Sequence, residues 1–406
     1  MCGQGHTESF LMLSTEHKRL NALFAAQQCY LNTEETLQTL GLTINLRTET
    51  PKLVGWLKSF MDPYFRDGDS SEELVSFDLD FNYSDEIVLH AAWMIETHGV
   101  TMKVDRSSSS TLDVLILDET TYLMFEPIDG VVFLVDRAKD RIQVAYGSRT
   151  RWPGRQLCSV VLEIMTRYLE GLGYCNYHAG AYATERGVVI VCGKGGSGKT
   201  TLLSAMVKAG ARLIANERCF IKADETGIYA AGFPSEIFVG MGSTRQFPDL
   251  LRFARNPTTL LGPQRRYRPK VVADYEPKDY GKLGDKFGMQ PREFCAALKG
   301  PPPVVGGKVV GIVNPAINYK IDVSVLEPMD EAEQFKLMKK NTLSLGRDKH
   351  FQYWLDLGFT YAQPGAEALS KIPGLIMHYR TKDAKFRGME APVDKVFDAL
   401  EAQRKE

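Results

Sequence analysis

Eight consecutive residues, Gly-Lys-Gly-Gly-Ser-Gly-Lys-Thr at positions 193–200, constrain this chain more than any other stretch. The apolar run at 187–192 leads into them and predicts a buried strand. Residues 200–208 lead out with a helical pattern that ends at Gly210. A strand, a glycine-rich loop and a helix in this order turn backbone N–H groups towards an anion at the positive end of the helix dipole. The sequence therefore predicts an α/β unit with a phosphate-binding loop.

The residue types in this motif match what a nucleoside triphosphate needs. The glycines allow the backbone to approach phosphate oxygens without a side-chain clash, Lys199 reaches the β- and γ-phosphates, and the Thr200 hydroxyl can ligate Mg²⁺. We therefore expect ATP and Mg²⁺ as cofactors. The candidate nucleotide-binding residues are Gly193, Gly195, Gly196, Ser197, Gly198, Lys199, Thr200 and Thr201.

Composition limits the other classes of function. The 406 residues include 49 Lys plus Arg against 50 Asp plus Glu, a formal charge of -1, so charge gives no reason to expect binding to nucleic acid or to a membrane surface. No apolar run approaches the roughly 20 residues of a membrane span. The seven cysteines are scattered without a Cys-x-x-Cys pair, which favours buried, reduced thiols in a cytoplasmic protein.

Two domains are predicted, an N-terminal α+β domain at 1–152 and a catalytic α/β domain at 153–406. The boundary is placed at the helix breakers Trp152-Pro-Gly, before a predicted helix at 156–172. In the first domain we expect helices at 16–29 and 85–97 and a solvated loop at the serine run 107–110. An antiparallel meander is expected at 112–145. This domain is expected to bind an acceptor or to mediate assembly, with a homo-oligomer left open.

The region around the loop resembles the catalytic domain of HPr kinase and its relatives. The resemblance lies in His178-Ala-Gly ahead of the loop, in Arg-Leu-Ile-Ala-Asn-Glu-Arg at 212–218, in Gly-Phe-Pro-Ser-Glu-Ile at 232–237 and in a late strand at 374–379 followed by a helix. It implies a P-loop kinase domain of the HPr-kinase/PEP-carboxykinase-like type. It also implies an ATP-dependent phosphotransferase in which His178 assists and Lys199 neutralises phosphate charge.

The resemblance departs at an acidic pair, which here reads Asn216-Glu217 where the family has two aspartates. An amide cannot accept a proton, so Glu217 becomes the candidate general base, and Thr200, Asn216 and Glu217 become the candidate Mg²⁺ ligands. The segment 236–242 also lacks the arginine that the family ties to its reverse reaction. The expected acceptor is therefore a hydroxyl on a small molecule, a peptide or another protein.

Two other functions stay open. The residues Lys-Gly-Gly-Ser-Gly-Lys-Thr-Thr at 194–201 also resemble the loop of ParA/MinD-type ATPases, in which Lys194 would reach the nucleotide of a second subunit. A module that binds nucleotide without chemistry is the third reading. A basic stretch is either a phosphate clamp or a solvated loop, and its charged residues are Arg265, Arg266, Arg268 and Lys270.

Overall fold

The computed structural model describes residues 4–65, 75–107, 110–250, 286–317, 324–343, 354–357, 366–379 and 392–403. The described chain is a mixed α/β fold that divides into two compact units. The first unit takes in the described residues of 1–59, 65–168 and 345–360, and the second those of 60–64, 169–344 and 361–406. The domain boundary at 152–153 stays a prediction, and the basic stretch at 265–270 lies outside the described residues.

The first unit is built on one mixed sheet. Its strands are β1 (Thr33–Thr39), β2 (Leu42–Thr48), β3 (Val75–Tyr83), β4 (Met102–Ser107), β5 (Ser110–Ile116), β6 (Thr121–Glu126), β7 (Val131–Asp136) and β8 (Arg141–Tyr146). They lie in the order β1-β2-β3-β8-β7-β6-β5-β4. β2, β3 and β8 are parallel neighbours, and the other pairs are antiparallel. The predicted meander is confirmed as β5 to β8.

The helices of this region are α1 (Gln4–Gln27), α2 (Pro51–Met61), α3 (Asp85–His98) and α4 (Pro153–Gly171). Local sequence sets the limits of α3, because the Ser84 side chain accepts a hydrogen bond from Ile87 N and Gly99 ends the helix at φ +85°. α1 and α3 share an apolar core with one face of the sheet, which includes Leu123 and Val132.

Three expectations for the first region need correction. The first long helix begins at Gln4 rather than at residue 16. α4 begins at Pro153 rather than at residue 156, because proline is tolerated in the first helical turn, where its missing N–H has no intrahelical partner. Ser107 and Ser110 are paired strand residues at the ends of β4 and β5 rather than loop residues, and Ser108 and Ser109 lie outside the described residues.

The cysteines differ from expectation at one position. Five of the six described cysteines are buried, whereas Cys29 is exposed because it lies in the short 3-10 turn that follows α1. Among the described residues no helix is long and apolar enough to span a membrane.

The second unit contains a larger mixed sheet and a separate antiparallel pair of short strands. Its strands are β9 (Cys175–Tyr177), β10 (Ala179–Thr184), β11 (Gly187–Cys192), β12 (Arg212–Ala215), β13 (Cys219–Asp224), β14 (Gly227–Gly232), β15 (Ile237–Gly240), β16 (Lys286–Met289), β17 (Gly306–Ile317), β18 (Val325–Pro328) and β19 (Gly374–Tyr379). Its helices are α5 (Lys199–Lys208), α6 (Met241–Gln246), α7 (Pro291–Ala297), α8 (Glu331–Lys340), α9 (Ala366–Ser370) and α10 (Pro392–Gln403).

The order β12-β10-β11-β17 sets the position of the glycine-rich loop. β11 is antiparallel to β10 and parallel to β17, and β17 is in turn parallel to β19. Alternate residues of β11 enter two separate cores. Val189 and Val191 join α5 and α10 on one face, and Val188 and Ile190 join Met338 of α8 on the other. Helices therefore cover both faces of this sheet, as the strand–helix alternation predicts.

Candidate functional site

The predicted strand–loop–helix arrangement is confirmed by β11, the loop and α5. Gly196 and Gly198 have φ values of +78° and +102°, in the left-handed region that favours glycine. Gly198 is the N-cap of α5 and supplies no side-chain cap, and the first helical turn closes with Leu202 N donating to Gly198 O at 2.9 Å. The N–H groups that begin α5 thus have no intrahelical acceptor and can serve an anion.

Space around the loop differs between its two ends. A Cβ at Gly195 or Gly196 would meet no heavy atom of the described residues within 4 Å, and both glycines are exposed. A Cβ at Gly193 would stand 2.7 Å from Ser197 Oγ and 2.8 Å from Asn314 Oδ1. The loop is therefore tightly packed where it leaves β11 and open where it would wrap around a phosphate.

Lys199 is folded back onto this loop. Its Nζ donates to Gly193 O at 2.8 Å and to Lys194 O at 3.3 Å, and the residue is only 8% exposed. Burial lowers the pKa of Lys199, while the nearby Glu217 carboxylate acts to raise it. Backbone carbonyls are weak substitutes for a polyphosphate, so an entering anion can take over this ammonium group.

Three strands bring the other predicted site residues to the same edge of the sheet. Ala179, the first residue of β10, pairs with Cys192, the last residue of β11, in an antiparallel ladder. His178, just before β10, and Gly193, just after β11, therefore lie at the same edge of the sheet. β12 lies on the other side of β10 and is followed directly by Asn216 and Glu217. Residues far apart in the chain therefore meet at the loop, and we call residues 193–201 together with His178, Asn216 and Glu217 the loop corner.

His178 and Glu217 form a pair within the loop corner. His178 Nδ1 lies 3.5 Å from Glu217 Oε2, and both side chains are about a third exposed. His178 is held from behind, because its backbone N–H donates to Asn341 O at 2.7 Å. Leu343 N donates to Asn176 O at 2.8 Å in the same short ladder. The end of α8 thus fixes the backbone that carries the imidazole.

Asn216 is more deeply buried than His178 and Glu217. Only 3% of it is exposed, yet neither Oδ1 nor Nδ2 has a hydrogen-bond partner among the described residues. Ser197 Oγ in the loop is also buried without a partner there. An unpaired buried amide costs about 1–3 kcal/mol unless water or a ligand satisfies it. These atoms therefore fit a ligand that brings polar groups into the corner.

The remaining predicted residues have distinct surroundings. Thr200 is half-buried in the first turn of α5. Thr201 is 7% exposed and exchanges a hydrogen bond with Ser243, Oγ1 to Oγ at 2.8 Å, so its side chain ties α5 to α6. Thr200 therefore has the more open position for a metal ligand. The described residues contain no cluster of three or more His, Cys, Asp or Glu side chains that could hold a metal by themselves.

Sequence reasoning missed Asn314 and Ser243. Asn314 follows Val313, which pairs with Val191 in the parallel β11–β17 ladder, and its Oδ1 lies beside Gly193. The carboxyl ends of parallel neighbours meet at one edge, so a polar residue after a Val-Gly-Ile-Val run was the available signal. Ser243 offered no comparable signal, since nothing local relates it to Thr201.

The chain was compared with known proteins. No protein-family model matches it, and no curated protein is significantly similar to it.

Proposed function

We propose that this chain is an ATP- and Mg²⁺-dependent phosphotransferase that phosphorylates a hydroxyl group of a small molecule, a peptide or a protein. The observation that carries the proposal is the convergence of Lys199, Asn216 and the His178–Glu217 pair on the glycine-rich loop. Phosphoryl transfer depends mainly on positioning and charge neutralisation, and these groups supply both.

Each group has one role in the proposal. The loop amides and Lys199 would hold the phosphates. Thr200, Asn216 and Glu217 would hold Mg²⁺, which would neutralise charge on the transferred group. Glu217 also takes the proton of the acceptor hydroxyl as the acceptor oxygen bonds to the γ-phosphorus and the bond to the β–γ bridging oxygen breaks. The ring of His178, whose Nδ1 lies 3.5 Å from Glu217 Oε2, orients the carboxylate.

The finer fold assignment also belongs to the proposal. The second unit is taken as a P-loop kinase domain of the HPr-kinase/PEP-carboxykinase-like type. The order of its elements supports this: His178 precedes β10, the loop follows β11, and Asn216-Glu217 follows β12. We propose the cytoplasm as the compartment, because all six described cysteines are free thiols.

A transfer assay tests the function. The protein is incubated with γ-labelled ATP, Mg²⁺ and, separately, pools of hydroxyl-bearing metabolites and of Ser/Thr/Tyr peptides, and labelled products are resolved by mass. We expect a labelled acceptor in one pool, lost in Glu217→Gln. Retained ATP binding with no labelled acceptor in any pool would instead support a nucleotide-binding module without catalysis.

The ATPase-switch alternative rests on Lys194, whose side chain is exposed at the loop. A switch of the ParA/MinD type predicts that ATP drives dimerisation and that Lys194→Ala abolishes it. The kinase proposal predicts a sedimentation coefficient that is independent of ATP in both proteins. Sedimentation velocity with and without ATP–Mg²⁺ therefore separates the two.

A further inference from the structure

The first unit contains a cavity of about 470 Å³, which lies between α1 and one face of the sheet. We call it the α1 cavity. One wall is a stripe on α1, where His17, Asn21 and Ala25 follow one another at four-residue spacing, continued by Gln28. Such a spacing puts the side chains on one helix face. The volume is in the range of small-molecule sites.

The opposite wall is charged. It includes Asp118 at the β5–β6 turn, Asp136 at the end of β7, Lys139 in the following turn and Arg141 at the start of β8. The Asp136 carboxylate is 2.6 Å from Lys139 Nζ. Towards the other end of the same sheet face, the residues are apolar and pack against α1 and α3 in the core. The polar residues of the cavity are therefore confined to one end of this face.

Arg141 of this wall belongs to an ion-paired network that costs free energy to bury. Asp80 is 1% exposed and lies between two arginines, with Arg47 Nη2 at 2.7 Å and Arg141 Nη2 at 2.5 Å. Gln143 Nε2 adds a longer contact at 3.4 Å. Apolar residues would stabilise a sheet at least as well, so such a network is poorly explained by stability alone.

The network fixes Arg141 but does not use all of it. Arg141 Nε is buried and has no hydrogen-bond partner among the described residues. Arg141 lines the cavity while Asp80 holds its Nη2, and a carboxylate is the best geometric match for a guanidinium group. Asp118 is complementary, because it is a carboxylate of the same cavity and its Oδ1 is held in place by hydrogen bonds from Thr120 and Thr121.

We propose that the α1 cavity binds a small zwitterion of the amino-acid type, with its carboxylate on Arg141 and its ammonium group on Asp118. The charges of the four charged side chains of the cavity wall, two acidic and two basic, sum to zero. A purely anionic or purely cationic ligand would be repelled by the two side chains that carry its own sign of charge. A neutral polyol forgoes the charge-assisted hydrogen bonds that a zwitterion makes. The uncharged stripe of α1 supplies amide groups for the rest of the ligand. This site is independent of the proposed phosphotransferase.

The test uses the full chain and each common L-amino acid in turn. A ligand that binds the folded state raises the melting temperature, and the best one is then titrated by calorimetry. We expect its deaminated acid and its decarboxylated amine to bind at least about tenfold more weakly, since each loses a charged hydrogen bond. Absence of binding by every amino acid, or tighter binding of a polyol or a dicarboxylate, would overturn the proposal.

Two matched variants locate the site. Ala25→Phe fills the α1 cavity from an exposed helix position, and Ala22→Phe adds the same bulk to an exposed position that does not line it. We expect Ala25→Phe to abolish binding and Ala22→Phe to preserve it. Lys199→Met should leave amino-acid binding unchanged, which separates this proposal from the nucleotide site. Amino-acid binding that survives Ala25→Phe would place the ligand elsewhere and refute the assignment.

Discussion

The loop corner and the α1 cavity are two polar sites buried in opposite ways. At the loop corner, the Asn216 side chain is buried with no hydrogen-bond partner among the described residues, and Lys199 Nζ donates to two backbone carbonyls of the loop. In the network that holds Arg141 of the α1 cavity, Asp80 is equally buried but is contacted by two arginines and a glutamine. Unsatisfied groups mark where a ligand must complete the structure, and a satisfied network marks a rigid support for groups that lie above it.

This difference predicts opposite responses to mutation. Changes at the loop corner should reduce activity and binding with small effects on folding. Changes to the Asp80 network should reduce stability first.

The largest effect is expected for Glu217→Gln, which keeps the shape of the side chain but removes its charge and basicity. We expect kcat for phosphoryl transfer to fall by about 10²–10⁴-fold, the usual contribution of a general base. The free energy of unfolding should change little, because the Glu217 side chain is 26% exposed. Steady-state kinetics measure kcat for this variant and for the control Glu225→Gln, whose residue lies in the exposed β13–β14 turn. A normal kcat in Glu217→Gln would remove Glu217 from the mechanism.

Asp80→Asn should lower the free energy of unfolding by about 3 kcal/mol, because it leaves two guanidinium groups facing each other without a carboxylate. Asp113→Asn is the control. Asp113 pairs with Lys103, whose side chain is 68% exposed, and a surface pair of this kind contributes less than about 1 kcal/mol. Urea denaturation of the two variants and the wild type measures the loss in the free energy of unfolding. Equal losses in the two variants would show that the Asp80 network has no special role.

Two glycines of one loop should separate packing from binding. Gly193→Ala brings a Cβ within 2.8 Å of two polar side-chain atoms and should cost about 1–3 kcal/mol of stability. Gly195→Ala has open space and should change stability by less than about 0.5 kcal/mol. It should nevertheless weaken ATP binding, since its methyl group occupies the phosphate side of the loop. Unchanged ATP affinity in Gly195→Ala would mean that the phosphates lie elsewhere.

The smallest effect concerns pH. Burial lowers the pKa of Lys199 in the folded chain, so between that lowered value and the ordinary value of 10.5 the unfolded chain binds more protons. The free energy of unfolding of the wild type should therefore rise with pH across this alkaline window. Lys199→Met should lack that contribution. Parallel pH dependences for the two proteins would show that Lys199 is not perturbed.

The sequence alone predicts those features of the fold that consist of consecutive residues. The loop, its strand and α5 follow from one motif and two periodic segments, and the β5–β8 meander follows from short apolar runs with turn residues between them. Limits of elements were less predictable. Helix α4 begins at Pro153 and not at the predicted residue 156, because proline ends a helix in its interior but suits its first turn.

Features assembled from distant residues were not predictable. The contact of His178 with Glu217 depends on β10 lying between β11 and β12, which is a property of the sheet order. The α1 cavity combines a helix stripe with residues of three strands and two turns, and no local pattern joins them. The first 150 residues therefore carried no recognisable chemistry as a sequence, although the fold places a charged cavity there.

The central claim, that residues 193–200 bind a nucleoside triphosphate, is tested most directly by calorimetric titration of ATP–Mg²⁺ into wild type, Lys199→Met and Lys208→Met. Lys199 and Lys208 are the first and last residues of α5. We predict that Lys199→Met weakens binding by about tenfold to 100-fold, as expected for loss of charged hydrogen bonds, and that Lys208→Met binds as the wild type does. Equal affinities in all three proteins would contradict the account.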